Sequence, residues 1–280
     1  MKSLHFPALS SSEIAETKNA LHAYCAVMGA WLKTSRPKRK HWWHASLRPT
    51  LVGLTSGVIH GAVDFELELN LRESLLQART SNGRFLAEKV LGQPAATLAQ
   101  SIQNFLRESG VDSHCIPQGI DFGKEEHTAY SAEQADKMGR AIKAGSAAMS
   151  FLRAGIPEET SPIQFWPHHF DLSMLWLPGE KIAGQNPNDE EYSDKQMNLG
   201  FTFGDEGIRE PYFYVTAYPL PDEFSKLSLP EGTRWLTDGF SGAVLLYRDL
   251  SKVTEPGAYL IKLWTELLSA GREHMLDQKS

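Results

Sequence analysis

Phe65-Glu66-Leu67-Glu68-Leu69-Asn70-Leu71-Arg72 alternates apolar and polar residues at every step, and this stretch decides the fold. Period two puts Phe65, Leu67, Leu69 and Leu71 on one face of a strand and the polar set on the other. A strand with one dry and one wet face belongs to an antiparallel sheet. The next residues agree: Leu75 to Thr80 reads as a second strand, Asn82-Gly83 as a hairpin turn, and Arg84 to Val90 as the return. Upstream, Trp43, Ala45, Leu47 and Leu51 alternate with His44, Ser46, Arg48 and Thr50, which predicts a further strand. The meander is bracketed by helices. Ser10-Ser11-Ser12-Glu13 is a capping box opening a helix over 11–34 that Pro37 stops, and Pro94 opens another through about Glu108.

Residues 111–130 are irregular and polar, and read as a connector. The order then repeats. Ser131-Ala132-Glu133-Gln134 caps a helix that ends near Gly155-Ile156-Pro157. Phe170, Leu172, Met174 and Trp176 alternate along a strand, a polar loop spans about Gly184 to Lys195, and strands follow over 198–203, 212–218 and 242–247. A helix from Pro256 to about Gly271 closes the chain. The expected fold is α+β: antiparallel sheets with flanking helices, built as an internal duplication of helix–meander–helix halves. The halves are 1–112 and 131–280, joined by 113–130 and packed as one compact unit.

Composition narrows the function classes. Lys and Arg total 28 against 34 Asp and Glu, a net charge of −6, which argues against nucleic acid as a partner. Two cysteines, Cys25 and Cys115, are too few for a disulfide framework or a Cys-rich zinc site. No stretch approaches the ~18 apolar residues of a membrane helix, and the N-terminus lacks a signal-peptide pattern. A cytoplasmic location away from membranes is the expectation. Glycine-rich nucleotide loops, His-Glu-x-x-His, Cys-x-x-Cys and Gly-x-Ser-x-Gly are all missing from the sequence.

Trp166-Pro167-His168-His169-Phe170-Asp171 carries the most chemistry. On a strand, His169 and Asp171 would share a face, and a carboxylate beside an imidazole orients it as a base or ligand. The competing reading is a buried structural His–Asp bond. His41-Trp42-Trp43-His44 is the counterpart, with His44, Ser46 and Arg48 as its polar face. Asp205 and Glu206 sit in the turn Gly204 to Gly207, where paired acids hold a cation or simply make the turn. Glu210 precedes Pro211, and Tyr212, Tyr214, Thr216 and Tyr218 alternate along the next strand as a candidate pocket wall. Lys33, Arg36, Lys38, Arg39 and Lys40 run up to the tryptophans; such residues bind phosphorylated ligands or form a solvated helix end.

Phe165 to Leu172, His41 to His44, Gly204-Asp205 and Glu210 to Val215 together resemble a family of uncharacterised bacterial proteins, a domain of unknown function. The resemblance runs over roughly residues 15–275 and implies a module boundary but no activity. Three readings stay open. In the first, an enzyme or metal-dependent protein uses His169, Asp171, His44 and Glu210 in a cleft between the halves. In the second, a non-catalytic small-molecule binder has Trp42, Trp166, Tyr212 and Tyr214 as walls and Arg48 as anion anchor. In the third, the aromatic faces are core and contact surface only. The residues name no cofactor, metal or oligomeric state.

Overall fold

A computed structural model describes residues 4–189, 191–237 and 241–276. Helix α1 (Ser11–Ser35) leads through a 3-10 turn (Lys40–Ala45) into β1 (Arg48–Pro49), β2 (Gly53–Thr55), β3 (Phe65–Asn70), β4 (Leu75–Thr80) and β5 (Phe85–Lys89). These five strands pair antiparallel in chain order. Gly83 sits at φ 85 in the tight turn between β4 and β5, the conformation that Asn-Gly supplies. Then come α2 (Ala95–Glu108) and α3 (Ala132–Arg153), whose N-terminus is capped by Ser131 Oγ accepting from Gln134 N at 3.3 Å.

The remainder is β6 (Glu159–Thr160), β7 (Gln164–Trp166), β8 (Asp171–Leu177), β9 (Gln196–Thr202), β10 (Tyr212–Tyr218), β11 (Thr233–Leu236), β12 (Gly242–Leu246), α4 (Tyr247–Leu250) and α5 (Pro256–Met275). The second sheet has seven strands in the order β11-β12-β10-β9-β8-β6, with β7 also on β8. The class is α+β, with two antiparallel sheets. The sheets differ in strand number and in order, so the topology does not confirm the duplication. Among the described residues no helix is long and apolar enough to cross a membrane.

The chain divides into two compact units. The meander unit is Ser12–Lys143 with Phe165–Phe170; the sheet unit is Met1–Ser11, Ala144–Gln164 and Asp171–Ser280. The division falls inside α3. In the meander unit, Phe65, Leu67 and Leu69 are buried, as their alternation predicts. Tyr24 of α1 donates to Val90 O and Gln93 O at 3.0 Å each, which ties that helix to the end of the meander. In the sheet unit, Leu172, Trp176, Leu199, Phe201 and Phe213 lie buried on the face towards α3 and α5. Gly145 lets α3 approach closely: a Cβ there would stand 3.3 Å from Leu172.

Two strand expectations are corrected. The alternation from Trp43 does not make a strand, because residues 40–45 coil as a 3-10 turn with His41 at φ 52 and Trp42 at φ 57. Ring pairing supports that turn: His41 lies 5.7 Å from Trp43, and Trp42 5.6 Å from His44. Likewise His169 precedes the strand. Residues 167–170 form a turn closed by Phe170 N donating to Trp166 O at 2.8 Å, with Phe170 left-handed at φ 54. His169 and Asp171 therefore share no strand face.

One ion pair in the sheet unit has a pH signature. Arg272 of α5 donates Nε and Nη2 to the two oxygens of Glu158 at 2.6 and 2.7 Å. That hydrogen bonding lowers the Glu158 carboxyl to about 2. A folded pKa below the unfolded value stabilises above about pH 4.5, and the gain is lost as pH falls towards 2. The pair is part-exposed, so solvent screening limits it to about 1 kcal/mol. Glu158→Gln is expected to cost that much at pH 7 and to flatten the stability slope between pH 4.5 and 2 in denaturant melts. An unchanged acid limb would sink this assignment.

Candidate functional site

In the meander unit the site starts from the end of α1. Pro37 stops the helix, and Arg36 turns back to donate Nη2 to Ser56 O and, at 3.2 Å, to Val58 O. Ser56 is a rigid acceptor, since it is buried, its N–H donates to Leu67 O and its Oγ accepts from Leu67 N at 2.9 Å. Arg48 on β1 faces Thr55 on β2, the residue before Ser56. Its Nη1 donates to Ser46 Oγ at 2.6 Å and Leu47 O at 3.3 Å. Arg39 comes from the loop between them. Its N–H donates to His44 Nδ1 at 3.2 Å, and its carbonyl accepts from Trp42 N at 3.1 Å.

The guanidiniums of Arg36 and Arg48 thus meet at one end of the meander, and Arg39 is near enough to repel both. Arg36 and Arg48 are half-buried and Arg39 is exposed. None of the three has a carboxylate partner among the described residues. The nearby acids of β3 are engaged elsewhere: Glu66 accepts from Thr55, and Glu68 from Thr50 and Arg79. Burial, then Arg39, lowers Arg36. Burial, then Arg36 and Arg39, brings Arg48 down to about 10. Both stay charged at neutral pH, so partial burial and like-charge crowding oppose them together.

The other expected residues of this unit surround that end. His44 is buried and Trp42 half-buried, with Lys38 Nζ 5.2 Å over the Trp42 ring. Leu47 bridges to Phe165, which brings the Trp166 strand beside residues 46–48. The Trp166 ring meets His168 edge-on at 5.8 Å. His168 and His169 are exposed, with ring centroids 4.1 Å apart. Pro167 packs against α1 at Gly29, where a Cβ would come to 2.9 Å.

In the sheet unit Asp171, Tyr212 and Tyr214 form a second cluster. Tyr214 lies across Gly200 of β9 and donates to Asp171 Oδ2 on β8. Tyr212 donates to Asp205 Oδ2. Burial and the carboxylates push both phenols up, so they remain donors. Asp205 Oδ1 also accepts Gly207 N and Ile208 N at 2.8 Å each, so the acid makes the turn. Glu210 pairs instead with Arg248 at 2.8 Å. These carboxylates serve tyrosines, turn amides and an arginine, and among the described residues no three His, Cys, Asp or Glu gather to hold a metal ion.

Sequence alone points to Arg48 and Trp42, and leaves Arg36 and Arg39 between a phosphate-binding run and a solvated helix end. A stronger signal for them exists. No Asp or Glu stands between Glu16 and Asp64, while seven Lys and Arg do, within a chain of net charge −6. Such a run has no acidic neighbour in sequence, so its half-buried members, Arg36 and Arg48, depend on the fold or on a ligand for counter-charge. A family model described as a family of unknown function, DUF5996, matches residues 6–275. No curated protein and no solved structure matches the chain.

Proposed function

The chain belongs to DUF5996, a family of unknown function, and we propose that it binds a small anionic ligand at Arg36, Arg39 and Arg48. One observation carries the reading: three guanidiniums, two of them half-buried, lie close enough to repel one another at one end of the meander, with no carboxylate partner among the described residues. An anion with several acceptor oxygens relieves that crowding through charge-assisted hydrogen bonds, and Arg suits it better than Lys because its donors form a fixed fork. The binding is non-catalytic in this reading. Its ligand is a small molecule, and His44 acts through its hydrogen bond to the Arg39 main chain.

Thermal unfolding with inorganic phosphate, at ionic strength matched with chloride, tests it. A ligand of the native state stabilises by mass action, by about 2.7 kcal/mol at a hundredfold excess over Kd. Arg39→Gln is expected to abolish the phosphate response while slightly raising the melting temperature without phosphate, because one repelling charge is gone. A structural role for Arg39 gives the opposite pair of results: a lower melting temperature and an intact phosphate response. That outcome overturns the proposal.

A further inference from the structure

We infer that the anion is a phosphomonoester carrying a flat ring, with Trp42 as the wall on which that ring stacks. This deepens the anion reading and rests on it. Trp42 and His41 occupy consecutive left-handed positions, φ 57, ψ 21 and φ 52, ψ 28, a conformation that L-residues avoid. Such outliers persist where the surroundings impose them, and they cluster at binding sites. Two of the contacts that hold the turn lead to Arg39, whose carbonyl takes the Trp42 amide at 3.1 Å and whose own amide goes to His44 at 3.2 Å. The residue that offers the exposed guanidinium therefore also fixes the backbone from which the indole projects.

The indole has a displaceable occupant. Lys38 Nζ lies over the ring at 5.2 Å, and Lys38 itself is exposed. An exposed cation over an indole is a weaker contact than a stacked flat ring. A ligand ring can take that place. A phosphomonoester fits the arginines better than a carboxylate does. It carries close to two charges and three acceptor oxygens for three guanidiniums, whereas a carboxylate satisfies one fork.

Titration with inorganic phosphate and phenyl phosphate, followed by calorimetry, separates the ring from the anion. Phenyl phosphate is expected to bind about tenfold tighter than inorganic phosphate. Trp42→Leu should erase that ratio, while Trp42→Phe keeps most of it. Lys38→Gln removes the cation that a ligand ring must displace from the indole and should raise the ratio, and an unchanged ratio there counts against Trp42 as the wall, which covers the case in which Trp42→Leu fails to fold. Equal affinity of the two ligands for the wild-type chain overturns the ring inference and leaves the anion site standing. Binding of neither overturns both.

Discussion

Gly200→Ala is expected to destabilise the protein by about 3–5 kcal/mol, lowering the melting temperature by on the order of 10 °C. Gly200 sits mid-sheet, opposite Ser173 on one side and Tyr214 on the other. The Tyr214 ring crosses directly over it to reach Asp171, and an alanine methyl would occupy the space of the phenol carbons and oxygen. Neither neighbour can yield easily, because β9 is held by antiparallel ladders on both edges. Tyr214 must leave its place, and a buried carboxylate loses a donor. Tyr214→Phe removes that donor without the collision, so it should cost less, about 1–2 kcal/mol. The decisive arm is the double variant. Combining Gly200→Ala with Tyr214→Ala frees the space the methyl needs, so the double variant should cost clearly less than the sum of the two single variants. Additive losses would show that the ring does not depend on the glycine.

That dependence marks where sequence reading stops. The row Tyr212, Tyr214, Thr216, Tyr218 is legible as one strand face because period two needs only the strand itself. That Tyr214 spans a whole strand to reach Asp171 is not legible, since it needs the order β8-β9-β10 and the register that sets Gly200 between them. Helices α1, α2 and α5 and the β3–β5 meander follow from local pattern and turn chemistry and stand within a few residues of expectation. The strand expected at Trp43 does not form, for a physical reason. Four aromatic rings in a row, His41 to His44, can pair one-to-three in a tight turn as well as alternate on a strand. Composition alone cannot choose between the two. Of the candidate site, Arg48 and Trp42 are readable from local context. The joining of Arg36 and Arg39 to Arg48 needs β2, whose Thr55-Ser56 step brings the acceptor of Arg36 beside the partner of Arg48.

For that reason Gly53→Ala should damage the site without touching it. Gly53 opens β2 opposite Asn70, and a Cβ there would drive into the carbonyl of Leu69 and stand 3.0 Å from Leu71 N. These are backbone atoms of a paired strand, so relief requires β2 to move rather than a side chain to rotate. Main-chain bonds resist the movement: Gly53 O accepts from Thr50 N at 2.8 Å, and Val52 O accepts from Leu71 N at 2.9 Å. The expected loss is about 3 kcal/mol, in the range of an overpacked core with a broken ladder bond. Displacing β2 also shifts Thr55 and Ser56, and with them the seats of Arg48 and Arg36, so the phosphate response should fall together with stability. Gly83→Ala is the comparison. It has open space around it and a φ of 85, so its cost is the strain of a left-handed residue, about 1 kcal/mol, at a hairpin tip. It should keep the full phosphate response. If Gly53→Ala melts like the wild type, or loses stability while binding phosphate normally, then β2 is not the frame that holds the arginines together.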